Sequence, residues 1–230
     1  MEHEKKLATY LKFLSKQPKG FVYHSPLKTQ APQQNQQVKN LCSKKEQLTQ
    51  LNSAYTNCQA CPLAAQGRTQ VVFGHGNAQS VLMFVGEGPG KDEDEQGYPF
   101  VGRAGQLLTK IIEAMNLARQ DVYISNVVKC RPPNNRLPLP IESDTCKNLL
   151  LYKEIEIIQP KIICTLGATA TQALLGESAK ITRARGIFSE FKGIPVLPTY
   201  HPAYLLRNPA EKRTVWEDMK KIMEKLKDIR

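Results

Sequence analysis

The sequence predicts an α/β protein in which helices cover both faces of a mostly parallel sheet. Short apolar runs, typical of buried strands, alternate along the chain with longer amphipathic segments that are typical of helices. Glycine or proline ends several of these segments. Strands that are joined by helices pair in parallel, and ligands of such sheets bind beyond the carboxyl ends of the strands. We therefore expect a ligand site at that edge of the sheet.

The predicted strands are four short apolar runs. They are residues 81–86, 122–128, 161–166 and 194–199. The predicted helices are residues 104–117, 142–158, 168–175 and 211–230. The first helix carries apolar residues from Leu107 to Met115 on one stripe, which is the spacing of a helix with one buried face. Pro160 stands just beyond the long second helix, as expected at a helix end.

The N-terminal residues differ in composition from the rest of the chain. Residues 1–50 contain nine lysines, no arginine and three glutamates, which is a net charge of +6. Apolar residues recur at helical spacing from Leu7 to Leu14, and a polar low-complexity run extends from Gln30 to Gln37. We divide the chain into a basic, glutamine-rich arm and flexible linker, residues 1–51, and a main domain, residues 52–230. The arm could bind DNA or a repair or replication protein, dock on the main domain, or have no role.

The overall charge favours a polyanionic partner. The 230 residues carry 32 lysines and arginines against 21 acidic residues, so the formal net charge of +11 makes nucleic acid the first expectation. A merely basic soluble protein is an equal alternative on charge alone. The sequence has no apolar run long enough for a membrane span and does not begin with a secretory signal. We therefore expect a cytoplasmic, nucleoid-associated protein.

A glycine-rich turn follows the first predicted strand and reads Gly86-Glu-Gly-Pro-Gly90. Such turns can hold phosphate groups, but the glycine spacing of the known nucleotide-binding loops is absent from this sequence. The acidic residues that follow the turn would also repel a phosphate chain. The turn suits a close approach of the backbone to a ligand, with Glu87 at its rim, and a plain tight turn is the alternative.

Other candidate residues fall at the same edge of the predicted sheet. Phe100 lies between proline and valine just before the first helix, where it could plug the core or stack on a planar ligand. Asn126 lies near the end of the second strand, where it could cap a turn or read the edge of a base. His201 follows the last strand, and a lone histidine is usually structural. After it, Leu206 stands beside Arg207, a combination with which proteins enter a DNA stack.

The six cysteines are expected to be thiols or metal ligands in a reducing compartment. Cys58 and Cys61 form a close pair, and Cys130 and Cys146 follow after gaps of 69 and 16 residues. Four thiolates in this spacing suit an iron–sulfur cluster, but spacing alone leaves zinc open. Cys164 lies within an apolar strand and is expected to be a core thiol.

Five segments, in this order along the chain, resemble the family 4 uracil-DNA glycosylases, the iron–sulfur type of the uracil-DNA glycosylase superfamily. The resemblance covers about residues 54–225. The segments are Cys58-x-x-Cys61-Pro-Leu, Gly86-Glu-Gly-Pro-Gly90, Pro99-Phe-Val-Gly-Arg-Ala-Gly-Gln-Leu-Leu108, Asn126-Val-Val-Lys-Cys-Arg-Pro-Pro133 and His201-Pro-Ala-Tyr-Leu-Leu-Arg207. The resemblance implies a three-layer α/β/α sandwich on a four-stranded parallel sheet. It also implies a 4Fe-4S cluster on Cys58, Cys61, Cys130 and Cys146.

The resemblance further implies excision of uracil from single- and double-stranded DNA by a monomer, as the first step of base excision repair. Phe100 would stack on the uracil ring. Asn126 would pair with O4 and N3–H of uracil, and cytosine presents the reverse pattern there. His201 would donate a hydrogen bond to O2 as negative charge develops, helped by the backbone N–H groups of Gly86 to Gly88.

Other roles are implied in the same way. Leu206 and Arg207 would form the wedge that fills the gap left by the flipped base. Glu93 would exclude the methyl group of thymine. Better-known uracil glycosylases use an aspartate to position water where this chain has Gly88. Glu87 is therefore the candidate for orienting the attacking water.

Two alternatives from other classes stay open at this point. The chain could be a non-catalytic iron–sulfur module that binds DNA, or a zinc-stabilised enzyme that binds a nucleotide. The presence of Phe100, Asn126 and His201 together argues against a pure binding module, because binding to DNA needs none of them.

Overall fold

The computed structural model describes residues 42–229, which are built on one six-stranded sheet. The helix expected near residues 7–14 lies outside the described residues. The strands are β1 (His75–Gly76), β2 (Leu82–Gly86), β3 (Tyr123–Asn126), β4 (Ile162–Leu166), β5 (Ser189–Phe191) and β6 (Ile194–Thr199). Their order across the sheet is β1-β3-β2-β4-β6-β5. The four central strands pair in parallel, so their carboxyl ends meet at one edge.

Helices cover both faces of the sheet. They are α1 (Lys44–Tyr55), α2 (Lys91–Gln96), α3 (Arg103–Ala114), α4 (Pro140–Cys146), α5 (Tyr152–Ile158), α6 (Ala168–Leu175), α7 (Ile181–Ala184), α8 (Pro202–Arg207) and α9 (Lys212–Lys227). Side chains of α1, α4, α5 and α6 pack on one face, and side chains of α3, α8 and α9 pack on the other. Successive side chains of a strand alternate between the two cores, as Phe84 and Val85 do. The predicted α/β/α sandwich is confirmed.

The expected count of four strands is correct for the parallel centre and wrong for the whole sheet. Two short strands, β1 and β5, add antiparallel edges. They have two and three residues, which is too short for an alternating or continuous apolar pattern to stand out. The long helix predicted for residues 142–158 begins at Pro140 and contains a π-helical turn, Lys147–Leu151, between α4 and α5.

The prediction of a flexible linker up to residue 51 is wrong from Lys44 onward. Helix α1 begins there, and Ser43 and Glu46 form a capping box that satisfies backbone N–H groups at its start. Leu48 is buried in the core, and Lys44 Nζ donates to the carbonyl of Ile158 at 2.6 Å. Helix α1 therefore covers part of the segment that the composition assigned to the linker. None of the helices that the structure describes is long and apolar enough to cross a membrane.

Candidate functional site

A cavity of about 520 Å³ opens at the carboxyl ends of the parallel strands. Its volume is typical of sites for small ligands, which measure roughly 300–1,000 Å³. Its lining residues are Glu87, Gly88, Pro89, Gly90, Glu93, Phe100, Ala104, Asn126, Pro132, Asn135, Arg136, Leu137, His201, Ala203, Tyr204 and Arg207. The structure thus brings the turn after β2, the Phe100 loop, the end of β3 and the start of α8 together around one space.

Phe100 lies buried against the floor of this cavity in a strained backbone conformation. Its φ angle is 56°, in the left-handed region that few non-glycine residues adopt. Gly105 makes this possible, because a Cβ atom there would lie 1.9 Å from the Phe100 carbonyl oxygen. The ring lies 5.5 Å from the His201 ring, centroid to centroid, at an angle of 33°. The loop therefore presents a fixed aromatic ring beside the imidazole.

Asn126 lines the same cavity and carries a buried acceptor. It ends β3, is 2% exposed, and pairs in register with Gly86 of β2. Its Oδ1 atom is buried and has no hydrogen-bond partner among the described residues. A Cβ atom on Gly86 would lie 2.5 Å from this oxygen and 2.4 Å from the Phe100 ring, so glycine is required between them. A buried acceptor without a partner costs free energy, which a ligand N–H group would recover.

His201 is held as a neutral imidazole with a defined tautomer. It caps the start of α8, where its Nδ1 atom accepts a hydrogen bond from the Ala203 N–H at 3.1 Å. Burial, together with the charge of Arg207, lowers its pKa to about 4. Because Nδ1 is an acceptor, the proton of the neutral ring is on Nε2. His201 can therefore donate one hydrogen bond from Nε2.

Glu87 is oriented by a residue that the sequence analysis did not single out. The Thr169 hydroxyl, in the first turn of α6, donates to Glu87 Oε2 at 2.5 Å. The two residues lie 82 positions apart and meet because β2 and β4 are neighbours in the sheet. The only sequence signal was the position of Thr169 just after the Gly167 turn, at the carboxyl end of β4.

Glu93 supports the loop that carries Phe100. Its Oε2 atom accepts from the Gly90 N–H at 3.0 Å, and its Oε1 atom accepts from the Val101 and Gly102 N–H groups at 3.1 Å each. These three bonds fix the carboxylate in the cavity wall. Its role in excluding thymine stays a prediction.

The two candidate wedge residues lie at the end of α8. Leu206 is 37% exposed, and Arg207 lines the cavity. Their neighbour Leu205 is fully buried in the core and anchors the helix. Leu206 is thus exposed on the surface and Arg207 lies at the cavity, and their role as a wedge stays a prediction.

The four predicted metal ligands gather on one face of the sheet. Cys130 and Cys146 belong to the core there, and Cys58 and Cys61 pack against it. Cys164 lies in the core of the opposite face, in agreement with its prediction as a core thiol. Within residues 42–229, no three Cys, His, Asp or Glu side chains converge closely enough to hold a single metal ion.

The surroundings of these thiols nevertheless suit a bound cluster. Arg68 donates to Cys130 Sγ at 3.0 Å, and the Lys129 N–H donates to Cys146 Sγ at 3.3 Å. Burial raises the pKa of Cys146 to about 12 and also raises the pKa values of Cys61 and Cys130. Without a metal, these raised pKa values favour the protonated thiols. A coordinated metal reverses this preference, because a thiol that binds a metal is deprotonated. The donor set therefore fits a four-cysteine cluster, with hydrogen bonds directed at two sulfur atoms.

Lys129 connects the cavity with the cysteine face, and sequence analysis gave it no role. Its Nζ atom is fully buried, 2.6 Å from Glu154 Oε2, and it also donates to Ser125 Oγ and, at 2.9 Å, to the Asn126 carbonyl. Glu154 also accepts from the Gly74 N–H at 3.0 Å. The only signal in the sequence was a lysine within the apolar run that leads to Cys130.

The fold and this site define a class of protein: an α/β/α sandwich with a cavity large enough for a nucleobase at the carboxyl edge of its sheet, and four cysteines on one face. The model of the uracil DNA glycosylase superfamily matches residues 73–220. The type-4 uracil-DNA glycosylase of Thermotoga maritima is 51% identical over 168 residues, which are 71% of this chain and 86% of that protein.

Two other relatives are similar over a comparable length. The type-4 uracil-DNA glycosylase of Sulfurisphaera tokodaii is 45% identical over 188 residues, 78% of this chain and 84% of that protein. That of Archaeoglobus fulgidus is 41% identical over 187 residues, 78% of this chain and 93% of that protein. The chain therefore belongs to the uracil-DNA glycosylase superfamily and, within it, to the type-4 family. The resemblance inferred from the five segments is confirmed.

Proposed function

We propose that this chain is a uracil-DNA glycosylase, which takes uracil from single- or double-stranded DNA and hydrolyses its N-glycosidic bond. The product is an abasic site, the starting point of base excision repair. The observation that carries this proposal is the buried Oδ1 atom of Asn126, which has no hydrogen-bond partner in the described part of the chain and shares one cavity with the Phe100 ring and the His201 imidazole. A merely DNA-binding module has no use for an acceptor placed in this way.

Recognition of uracil follows from the groups in the cavity. The flipped ring lies on Phe100, and Asn126 Oδ1 accepts from N3–H of uracil while its amide donates to O4. Cytosine presents an acceptor at N3 and a donor at N4, so it leaves both polar atoms of Asn126 unpaired, which strongly disfavours binding. Glu93, fixed by three backbone N–H groups, forms a rigid wall that limits the size of the base.

The glycosidic bond breaks with its electron pair moving onto the base. Negative charge then develops on O2 of uracil, where the Nε2–H of neutral His201 donates a hydrogen bond that strengthens in the transition state. Backbone N–H groups of the turn from Gly86 to Gly88 add to this stabilisation. The sugar acquires oxocarbenium character and is attacked by water.

Glu87 orients the attacking water and accepts its proton. The Thr169 hydroxyl holds one carboxylate oxygen and leaves the other to face the water. The new bond joins the water oxygen to the anomeric carbon of the sugar. The uracil anion leaves, and solvent protonates it.

We further propose that Cys58, Cys61, Cys130 and Cys146 hold a 4Fe-4S cluster. When bound, the cluster supplies covalent cross-links between three segments of the chain. These are the segment before the 3₁₀ helix Pro62–Ala65, the segment after β3, and the end of α4. The cysteines thereby secure the segment that directly follows Asn126. The reduced thiols and the DNA substrate suit a monomeric protein of the cytoplasm, associated with the nucleoid.

Release of free uracil from single-stranded and duplex oligonucleotides tests the activity. Asn126→Asp is expected to lower the rate by roughly 10²-fold and to begin to release cytosine, because a carboxyl group can match the cytosine edge. Asn148→Asp makes the same chemical change at an exposed position of the π-helical turn and is expected to keep full activity. If the unmodified protein releases no uracil yet binds DNA, the chain is a non-catalytic module. If Asn126→Asp retains the full rate, Asn126 does not read the base.

A further inference from the structure

Leu137 is exposed at the mouth of the cavity. Its side chain is 68% exposed, the largest fraction among the large hydrophobic residues that the structure describes. Most exposed apolar residues of a protein have no role of their own. Leu137 differs from them because it lines the cavity together with Pro132, Asn135 and Arg136. An apolar side chain in this position contributes little to the core and faces any ligand that enters.

The loop around Leu137 is held rigidly. Arg136 donates to both carboxylate oxygens of the buried Glu142, at 2.8 and 2.7 Å, and its guanidinium also donates to the Leu137 carbonyl at 2.9 Å. Pro133 and Pro138 restrict the backbone on either side of this clamp. The loop therefore holds its exposed leucine in one place without burying it.

The Leu137 loop and the α8 wedge follow strands that are not neighbours in the sheet. The Leu137 loop follows β3, and the wedge residues Leu206 and Arg207 follow β6. In the sheet, β2 and β4 lie between these two strands, so three strand spacings, about 14 Å, separate the two starting points. The turn that carries Glu87 lies between them. The segments that carry Leu137 and Leu206 thus leave the sheet on opposite sides of this turn.

We propose that Leu137 is a second DNA wedge, which packs against the base stack on the side of the extruded uracil opposite to Leu206 and Arg207. This inference rests on the proposed function. Extrusion of a base breaks its stacking with the bases on both sides, and an apolar side chain that fills such a gap offsets the cost of unstacking. Leu206 meets one side of the opened step. The rigid loop brings Leu137 to the other side.

The test compares Leu137→Ala with Ile141→Ala. Ile141 is 58% exposed, lies four residues away in the first turn of α4, and does not line the cavity, so it is a matched control. Single-turnover release of uracil is measured on a duplex and on the same strand alone. Leu137→Ala is expected to slow release from the duplex by roughly tenfold and to change release from the single strand by less than about twofold. Ile141→Ala is expected to match the unmodified protein on both substrates.

A second measurement reports base extrusion directly. A fluorescent adenine analogue beside a non-cleavable uracil in the duplex brightens when the stack opens, and Leu137→Ala is expected to reduce this signal. If Leu137→Ala slows uracil release equally on the duplex and on the single strand, Leu137 is a wall of the uracil cavity, and the wedge proposal is overturned. A normal rate of Leu137→Ala on duplex, or an equal loss in Ile141→Ala, would overturn it as well. Failure of the proposed function is a different result, because the unmodified protein would then release no uracil from either substrate.

Discussion

The charge of His201 decides how this residue can stabilise the leaving base. Its pKa of about 4 makes the imidazole neutral at physiological pH. The hydrogen bond from the Ala203 N–H to Nδ1 also opposes a second proton, because a protonated Nδ1 could not accept it. His201 therefore acts as a neutral donor to O2 of uracil. A neutral donor strengthens its hydrogen bond as charge develops and does not lose its proton in the physiological range.

We expect the single-turnover rate to show no titration of His201 between about pH 5 and pH 8. His201→Ala should lower the rate by about 10²–10³-fold across this range, which is the loss for one oxyanion donor. In the folded protein the pKa of His201, about 4, lies below the usual value of 6.5. The contribution of His201 to the stability of the fold is therefore present above pH 6.5 and is lost as the pH falls toward 4. A rate that falls as the pH rises through about 6.5 would indicate an imidazolium donor instead.

Thr169 offers a test of the water-orienting role of Glu87. Thr169→Val removes the hydroxyl that donates to Glu87 Oε2 and nearly preserves the volume. The loss of a hydrogen bond to a charged group should lower kcat roughly 10- to 100-fold with little effect on KM. Thr169→Ser keeps the hydroxyl and should restore most of kcat. If the valine variant has the kcat of the unmodified protein, the Thr169 contact does not orient a catalytic group.

At the scale of elements, a buried ion pair holds the segment after β3 against α5. Lys129 and Glu154 are both 0% exposed, so removal of one partner leaves the other charged and buried. Lys129→Met should cost about 3–5 kcal/mol, which lowers the melting temperature by roughly 6–20 °C. The control is Lys192→Met, whose partner Glu156 is exposed, and it should cost at most about 1 kcal/mol. Similar melting temperatures of the two variants would contradict a structural role of the buried pair.

Sequence patterns predicted those elements whose information lies in a continuous segment. The four parallel strands and helices α3, α6 and α9 follow from apolar runs and stripes of ordinary length. Helix α1 was missed because its exposed face is rich in lysine and glutamine, which resembles the polar segment before it. The contacts of Thr169 with Glu87 and of Lys129 with Glu154 join distant parts of the chain. No local pattern specifies them, so they required the fold.

At the scale of the whole molecule, the cysteine cluster links segments that are far apart in sequence. Anaerobically purified protein is expected to contain about four irons per chain, the content of a four-cysteine 4Fe-4S site. Cys58→Ala should lower the iron content and the melting temperature together, since it removes one ligand of the cross-link. Cys42→Ser, outside the proposed ligand set, should change neither. Stoichiometric zinc in place of iron would contradict the assignment.

The part of the basic arm that lies before residue 42 contributes to the charge of the whole protein. Residues 1–41 contain seven lysines and two glutamates, so their deletion removes a net charge of +5 and leaves α1 complete. If the arm contacts phosphates, the plot of log K for DNA against log salt should flatten by roughly 0.9 for each lost contact. A full-length variant with these seven lysines replaced by glutamine should flatten it equally, which separates charge from chain length. Single-turnover release at saturating protein should persist in both variants, because every residue that lines the cavity follows residue 86. An unchanged slope in both would mean that the arm does not bind DNA and serves another partner or none.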